Sequence, residues 1–151
     1  FLSFRCGKVG QKERGGHDHN DQLSIEIYSR DLKIEDPGTG IYTPFPSIRN
    51  KYRSITSHFA PQVFDNGKVI EPGKLDQGLF SMNSKQSSAL IYASKDKCIG
   101  YNKNLKTVRV LKLNSSNIDI QDICLNTSQQ VKKLNPKPFP TSFAKLLHDK
   151  G

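Results

Sequence analysis

The chain reads as an all-β protein, an antiparallel β-sandwich of many short strands, on two observations. Apolar and polar residues alternate with a period of two in several separate runs, as they do where one face of a strand is buried. Between those runs lie clusters of Gly, Pro, Asn, Asp and Ser that turn the chain at short intervals. Together these features favour packed antiparallel sheets.

Taken in order, the first strand is expected over 2–6. In the next run Leu23, Ile25 and Ile27 alternate with Ser24, Glu26 and Tyr28. Shorter strands are expected near 31–36, 61–65, 78–83, 88–95 and 98–102. Val108, Val110, Leu111 and Leu113 are interleaved with basic residues, and Ile118, Ile120 and Ile123 alternate with Asp119, Gln121 and Asp122. Turns fall at Asp65-Asn66-Gly67, Glu71-Pro72-Gly73 and Asn114-Ser115-Ser116-Asn117. The connection from Pro37 to about Ser57 holds too many Pro, Gly and polar residues for a simple hairpin, and long ordered connections in compact domains are often functional.

One domain is expected over 1–128, since 151 residues suffice for one sizeable core but not for two ordinary ones. The remainder, 129–151, is a basic Pro-containing tail that reads as a linker or an edge. Ser142 to His148 is a candidate short helix within it, marginal without packing. The chain opens on Phe1, and its only methionine is Met82. It therefore reads as a processed product or a fragment.

The net charge is +9, which suits an acidic polymer or an anionic surface as partner. The charge is uneven: residues 1–75 hold 11 basic and 9 acidic side chains, and residues 76–151 hold 12 and 5. Neither an RNA-binding aromatic signature nor zinc-finger spacing appears, so nucleic acid is not the expected partner. No apolar run approaches a membrane span. Cys6, Cys98 and Cys124 form an odd set without CxxC spacing, read as buried free thiols, with a Cys98–Cys124 bridge as the alternative.

Three of the four histidines fall in one stretch that also carries a turn-borne carboxylate: His17 and His19, Asp36 before Pro37-Gly38, and His58. His17 and His19 leave the same face of an extended backbone. The Pro-Gly turn brings Asp36 back toward that face. Imidazoles with one carboxylate suit Zn²⁺, and three protein ligands leave a position for water or substrate. The same residues also suit a hydrogen-bonded structural cluster without metal.

The segments "FLSFRCG", "GGHDHNDQLSIEIY", "LKIEDPGTGIYTP", "RNKYRSITSH" and "VFDNGKVIEPGKLDQGLF" follow one another at characteristic spacing. In these, from Phe1 to about Asp122, the chain resembles the C-terminal β-sheet domain of heparinase II/III-like polysaccharide lyases. It departs from the family pattern after the third histidine, where His58-Phe59-Ala60-Pro61 replaces His-Asn-Thr-Val.

The resemblance implies a structural zinc site at His19, Asp36 and His58, with His17 lining the active site. It implies β-elimination on a uronate-containing acidic polysaccharide, with the main base and acid on an N-terminal helical toroid outside this chain. It also implies a bacterial, periplasmic or secreted enzyme. Tyr42 and Tyr52, in the long connection, are candidate proton-transfer phenols reaching the cleft from this side. Arg53 is a candidate forked ligand for a uronate or sulfate, and equally a brace that pairs with Asp18 or Asp21. A fragment without the toroid is expected to turn over poorly or not at all.

Two rivals belong to other classes. A non-catalytic, metal-stabilised carbohydrate-binding module uses the same fold and ligands. A cupin-like oxygenase expects a glutamate three or four residues beyond the HxH, whereas Glu26 lies too far along.

Overall fold

The computed structural model describes residues 1–10, 15–30, 32–75, 81–82, 87–115, 117–126 and 128–132. Among these the architecture is all-β, with ten strands in three antiparallel sheets and one short α-helix. The first sheet joins β1 (Leu2–Phe4), β2 (Ile25–Tyr28) and β3 (Lys33–Ile34), with Leu2 opposite Ile27 and Ile27 opposite Ile34. Ile25 and Ile27 point inward while Glu26 and Tyr28 do not, as the period of two requires.

The second sheet is small. Strands β4 (Val63–Asp65) and β5 (Lys68–Val69) form a hairpin closed by Asn66 and Gly67, both at positive φ. Asn-Gly accepts that conformation at little cost, which is why this turn is legible. The third sheet is a four-stranded meander of β6 (Ser88–Ala93), β7 (Lys97–Asn102), β8 (Thr107–Leu113) and β9 (Ile118–Cys124). The last strand, β10 (Gln130–Val131), adds to the second sheet beside β4 and lies beyond the boundary drawn at residue 128.

The first and third sheets share a core. Ile25, Ile27 and Ile34 meet Leu111, with Phe4, Cys98, Ile118 and Ile120 packed around them. The approach is close at Gly100, where an added Cβ would lie 2.5 Å from Leu23 and 2.7 Å from Phe4. A second cluster of Ile55, Ala60, Val63 and Leu105 joins the small sheet to the chain ahead of it and to the connection between β7 and β8.

Between the layers lies a wholly buried arginine. Arg109 donates from Nε and Nη2 to the two carboxylate oxygens of its cross-strand neighbour Asp122, at 2.7 Å each. Its Nη1 donates to the carbonyls of Leu23, at 2.8 Å, and Phe59.

Several elements differ from expectation. The strand expected from Leu23 begins at Ile25, because Leu23 sits at φ 64° in a turn closed by Ser24 N–H on the Asp21 carbonyl. That turn is held by Arg109 on the Leu23 carbonyl and by Leu23 N–H on the Arg5 carbonyl. The long connection contains a helix, α1 (Pro46–Arg53), and a 3-10 turn over Ile55–Ser57. Pro46 suits the first helical turn, where its missing N–H has no intrahelical role. The helix buries Arg49, Tyr52 and Arg53, so its inner face carries two guanidinium groups beside one aromatic ring rather than an apolar stripe.

The strand expected over 78–83 lies mostly outside the described residues, and its described members Ser81 and Met82 are not in a strand. The helix considered over 142–148 lies outside them. Cys6, Cys98 and Cys124 are free and half-buried. Burial, reinforced by Cys98, pushes the Cys6 thiol up to about 11 against the opposing effect of Arg5.

Candidate metal centre and cleft wall

His19, Asp36 and His58 converge from three separate segments. One ligand atom from each lies within 4.8 Å of the others. The turn at Asp36 is self-made: its Oδ1 accepts Gly38 N–H at 2.8 Å, with Gly38 at φ 70°, which turns Oδ2 toward His58. Asp36 Oδ2 and His58 Nδ1 are 3.0 Å apart. The His19 and His58 rings are tilted by 45° with centroids 5.2 Å apart.

The electrostatics of the cluster favour a neutral His19 imidazole beside an ionised Asp36 carboxylate. Burial pushes His19 down to about 4, and His58, Arg49 and Arg53 reinforce the shift against the pull of Asp36. Burial raises Asp36, but its hydrogen bond and charge interaction with His58, the Gly38 N–H and His19 outweigh it and hold the carboxyl below its usual range. That is the protonation state a divalent cation requires of its ligands.

Framework contacts fix the three segments. Asn20 N–H donates to the Arg53 carbonyl at 2.9 Å. The Asn20 side chain donates to Glu71 and Gly73 and accepts from Gly73 N–H. Glu71 also takes the Ile55 N–H at 3.1 Å and the Ser54 hydroxyl, so one carboxylate joins the histidine segment to the helix end. On the other side Arg5 bridges Asp21, at 2.7 Å, and Asp18, at 3.3 Å.

The remaining sequence candidates separate by exposure. His17 is exposed at φ 60°, and its Nδ1 shares a hydrogen bond with the Tyr42 hydroxyl. The two rings are stacked with centroids 5.9 Å apart. The Arg49 guanidinium sits 4.6 Å from the centre of the Tyr42 ring, so a buried cation backs an exposed phenol.

Tyr42 is 46% exposed, whereas Tyr52 is wholly buried, with its ring where a Cβ on Gly40 would fall. Of the two phenols, only Tyr42 is exposed. Arg53 is also wholly buried, and its guanidinium donates to the Asp18 carbonyl at 3.2 Å, Asn50 Oδ1 at 3.1 Å and the Ser81 carbonyl at 2.7 Å. In this arrangement it braces the site. The contact with Asp18 is through the backbone, not the carboxylate.

The family model described as "Heparinase II/III-like, C-terminal" matches residues 1–131. The chain belongs to this family. Neither a curated protein nor a solved structure matches it.

This heparinase II/III-like domain carries two framework residues that pattern reading did not single out. Glu71 reads as part of an ordinary Glu-Pro-Gly turn, and no local signal marks its partners 16 to 51 residues away. Arg49 did leave a signal, since it precedes Arg53 by four and so shares a helix face with it, but only once a helix is drawn there.

Proposed function

We propose that this chain is the metal-stabilised β-sheet wall of a polysaccharide lyase that cleaves uronate-containing acidic polysaccharide by β-elimination. The proposed enzyme acts in the periplasm or outside the cell and completes its cleft with a helical toroid domain. The observation that carries this reading is the His17–Tyr42 pair, exposed, stacked and hydrogen-bonded two residues along the chain from the His19 cluster. Membership of a lyase domain family supports the reaction class.

The donor set fits zinc. It offers two imidazoles and one carboxylate, a set found in tetrahedral sites that keep one open position. His58 Nε2 is, besides, a buried nitrogen without a hydrogen-bond partner, so one ring atom of that residue awaits a further contact. Bound there, the ion would act structurally, tying the His17–Asp21 segment and the Asp36 turn to the end of α1.

β-Elimination removes the proton at carbon 5 of the uronate, breaks the bond from carbon 4 to the glycosidic oxygen, and forms the carbon 4–carbon 5 double bond. The leaving oxygen takes a proton. Removing the first proton is easier when the adjacent carboxylate is neutralised, because the electron pair delocalises onto it. In this reading His17 hydrogen-bonds that carboxylate, and Tyr42, held against His17 and backed by Arg49, exchanges a proton at the cleft rim. Arg53 and Tyr52 are assigned to support rather than to substrate.

The test is a screen of the intact protein on acidic polysaccharides, read by the ultraviolet absorbance of the unsaturated uronate. His17→Ala should lower kcat by about two orders of magnitude, typical of losing one preorganised donor, while metal content stays at the wild-type level. Sugar binding without unsaturated product on any such polymer would favour the binding-module reading and overturn this one.

A further inference from the structure

We propose that the outer face of the β6 to β9 meander is a second binding surface for acidic polysaccharide, apart from the cleft wall. The class of polymer rests on the proposed function. The surface itself rests on the register and charge of the sheet.

The two faces of this sheet carry different residues. Cys98 and Leu111 pack inward on the first sheet, so the residues that alternate with them along β7 and β8 turn outward. Pairing across the strands then makes Tyr92, Ile99, Tyr101, Val108, Val110 and Ile123 neighbours on the outer face. The solvated face of an antiparallel sheet ordinarily carries polar residues instead. Tyr92 is 49% exposed and Ile123 39%, and the other four are half-buried.

Lysines stand at both ends of this platform. Lys97 lies directly opposite Lys112 on the same face, and its ammonium is 5.9 Å from the centre of the Tyr92 ring. Like charges set opposite each other destabilise a sheet, and a bound carboxylate would offset that cost. Lys103, just past the other end of β7, is six residues from Lys97, about 20 Å along a strand.

Residues 88–124 hold five lysines and Arg109 against Asp96, Asp119 and Asp122. Arg109 and Asp122 neutralise each other in the interior, which leaves five ammonium groups to two carboxylates. Among the described residues, none of those five is joined to a carboxylate in an ion pair. The positive surplus in the second half of the sequence is thus concentrated on this sheet.

Such a platform matches both surfaces of a uronate polymer. The C–H faces of sugar rings pack on aromatic and aliphatic side chains, and the carboxylates meet the lysines. One exposed ion pair contributes little, so the gain comes from several pairs along a single polymer. A second copy of this chain is a poorer occupant, because it would set lysines against lysines. Polymer held here stays at high effective concentration for a cleft elsewhere on the same molecule.

The experiment measures binding of the intact protein to immobilised alginate, hyaluronate and neutral dextran, in a His17→Ala parent so that polymer is not consumed. The acidic polymers should bind and dextran should not. Lys97→Gln with Lys112→Gln should weaken binding about 10-fold. Tyr92→Ala should weaken it about 5-fold, and Tyr92→Phe should restore it. A loss confined to the lysine variant would mean unspecific polyanion contact, and a loss confined to Tyr92→Ala would mean a platform for neutral sugar; either overturns the proposal. So would unchanged binding in every variant, or no binding of either acidic polymer by the parent. Concentration-dependent sedimentation abolished by Tyr92→Ala, with polymer binding unchanged, would give the face to a second copy instead. Should the double lysine variant not fold, Lys103→Gln with Lys106→Gln replaces it with the same expectation. The lyase reading is decided separately, by unsaturated uronate formed by protein that retains His17.

Discussion

His19 is the residue whose chemistry responds most directly to its surroundings. Its folded-state pKa of about 4 lies below the ordinary value of 6.5. A depressed imidazole contributes stability that is fully present above 6.5 and is lost as pH falls toward 4. The shift corresponds to about 3 kcal/mol at full expression. Metal-free protein should therefore lose unfolding free energy across that window, and His19→Gln should flatten the profile. A wild-type stability that does not change between pH 6.5 and 4 would contradict this environment. Asp36, also depressed, adds a further loss below its ordinary 3.8.

Arg109 makes a different kind of prediction. Truncating Asp122 to Ala leaves a buried guanidinium without its forked partner, so Asp122→Ala should cost about 3–5 kcal/mol in denaturant unfolding. A loss under 1 kcal/mol would mean that water reaches the site.

At the scale of elements, the longer strands were legible while β5 and α1 were not, and for α1 the reason is chemical. Ile25 and Ile27 bury one face of a strand in an apolar core, so their alternation survives in the sequence. The buried face of α1 is Arg49, Tyr52 and Arg53, whose value lies in hydrogen bonds and stacking that hydropathy does not register. The candidate site divides in the same way. His19, Asp36 and His58 are written in short motifs, whereas the difference between Tyr42 and Tyr52 is decided by which side of a helix-bearing loop each occupies. Glu71 depends on partners brought together only by the fold.

Gly40 tests how tightly that loop is seated. It stands at φ 62°, and a Cβ there would lie 2.5 Å from the Tyr52 ring. Gly40→Ala combines a left-handed backbone with an overpacked contact, so it should cost about 1–3 kcal/mol and lower the melting temperature. An unchanged melting temperature would show that Tyr52 moves aside freely.

At the largest scale, two buried clusters organise three sheets among the described residues, and the His19 cluster draws together chain segments far apart in sequence, with Asp36 and His58 separated by 22 residues. An ion held by such donors closes a loop, and each closure removes configurational freedom from the unfolded chain. Its influence should therefore be spread unevenly over the folded chain too. The meander of β6 to β9 closes through local hairpins and would gain little from such a tie, while the excursion from Pro37 to Ser57 would be held at both ends by it. Chelation should thus speed amide hydrogen exchange in 37–57 well before it does so in β7 and β8, dividing the domain into a part that keeps its own shape and a part that borrows it.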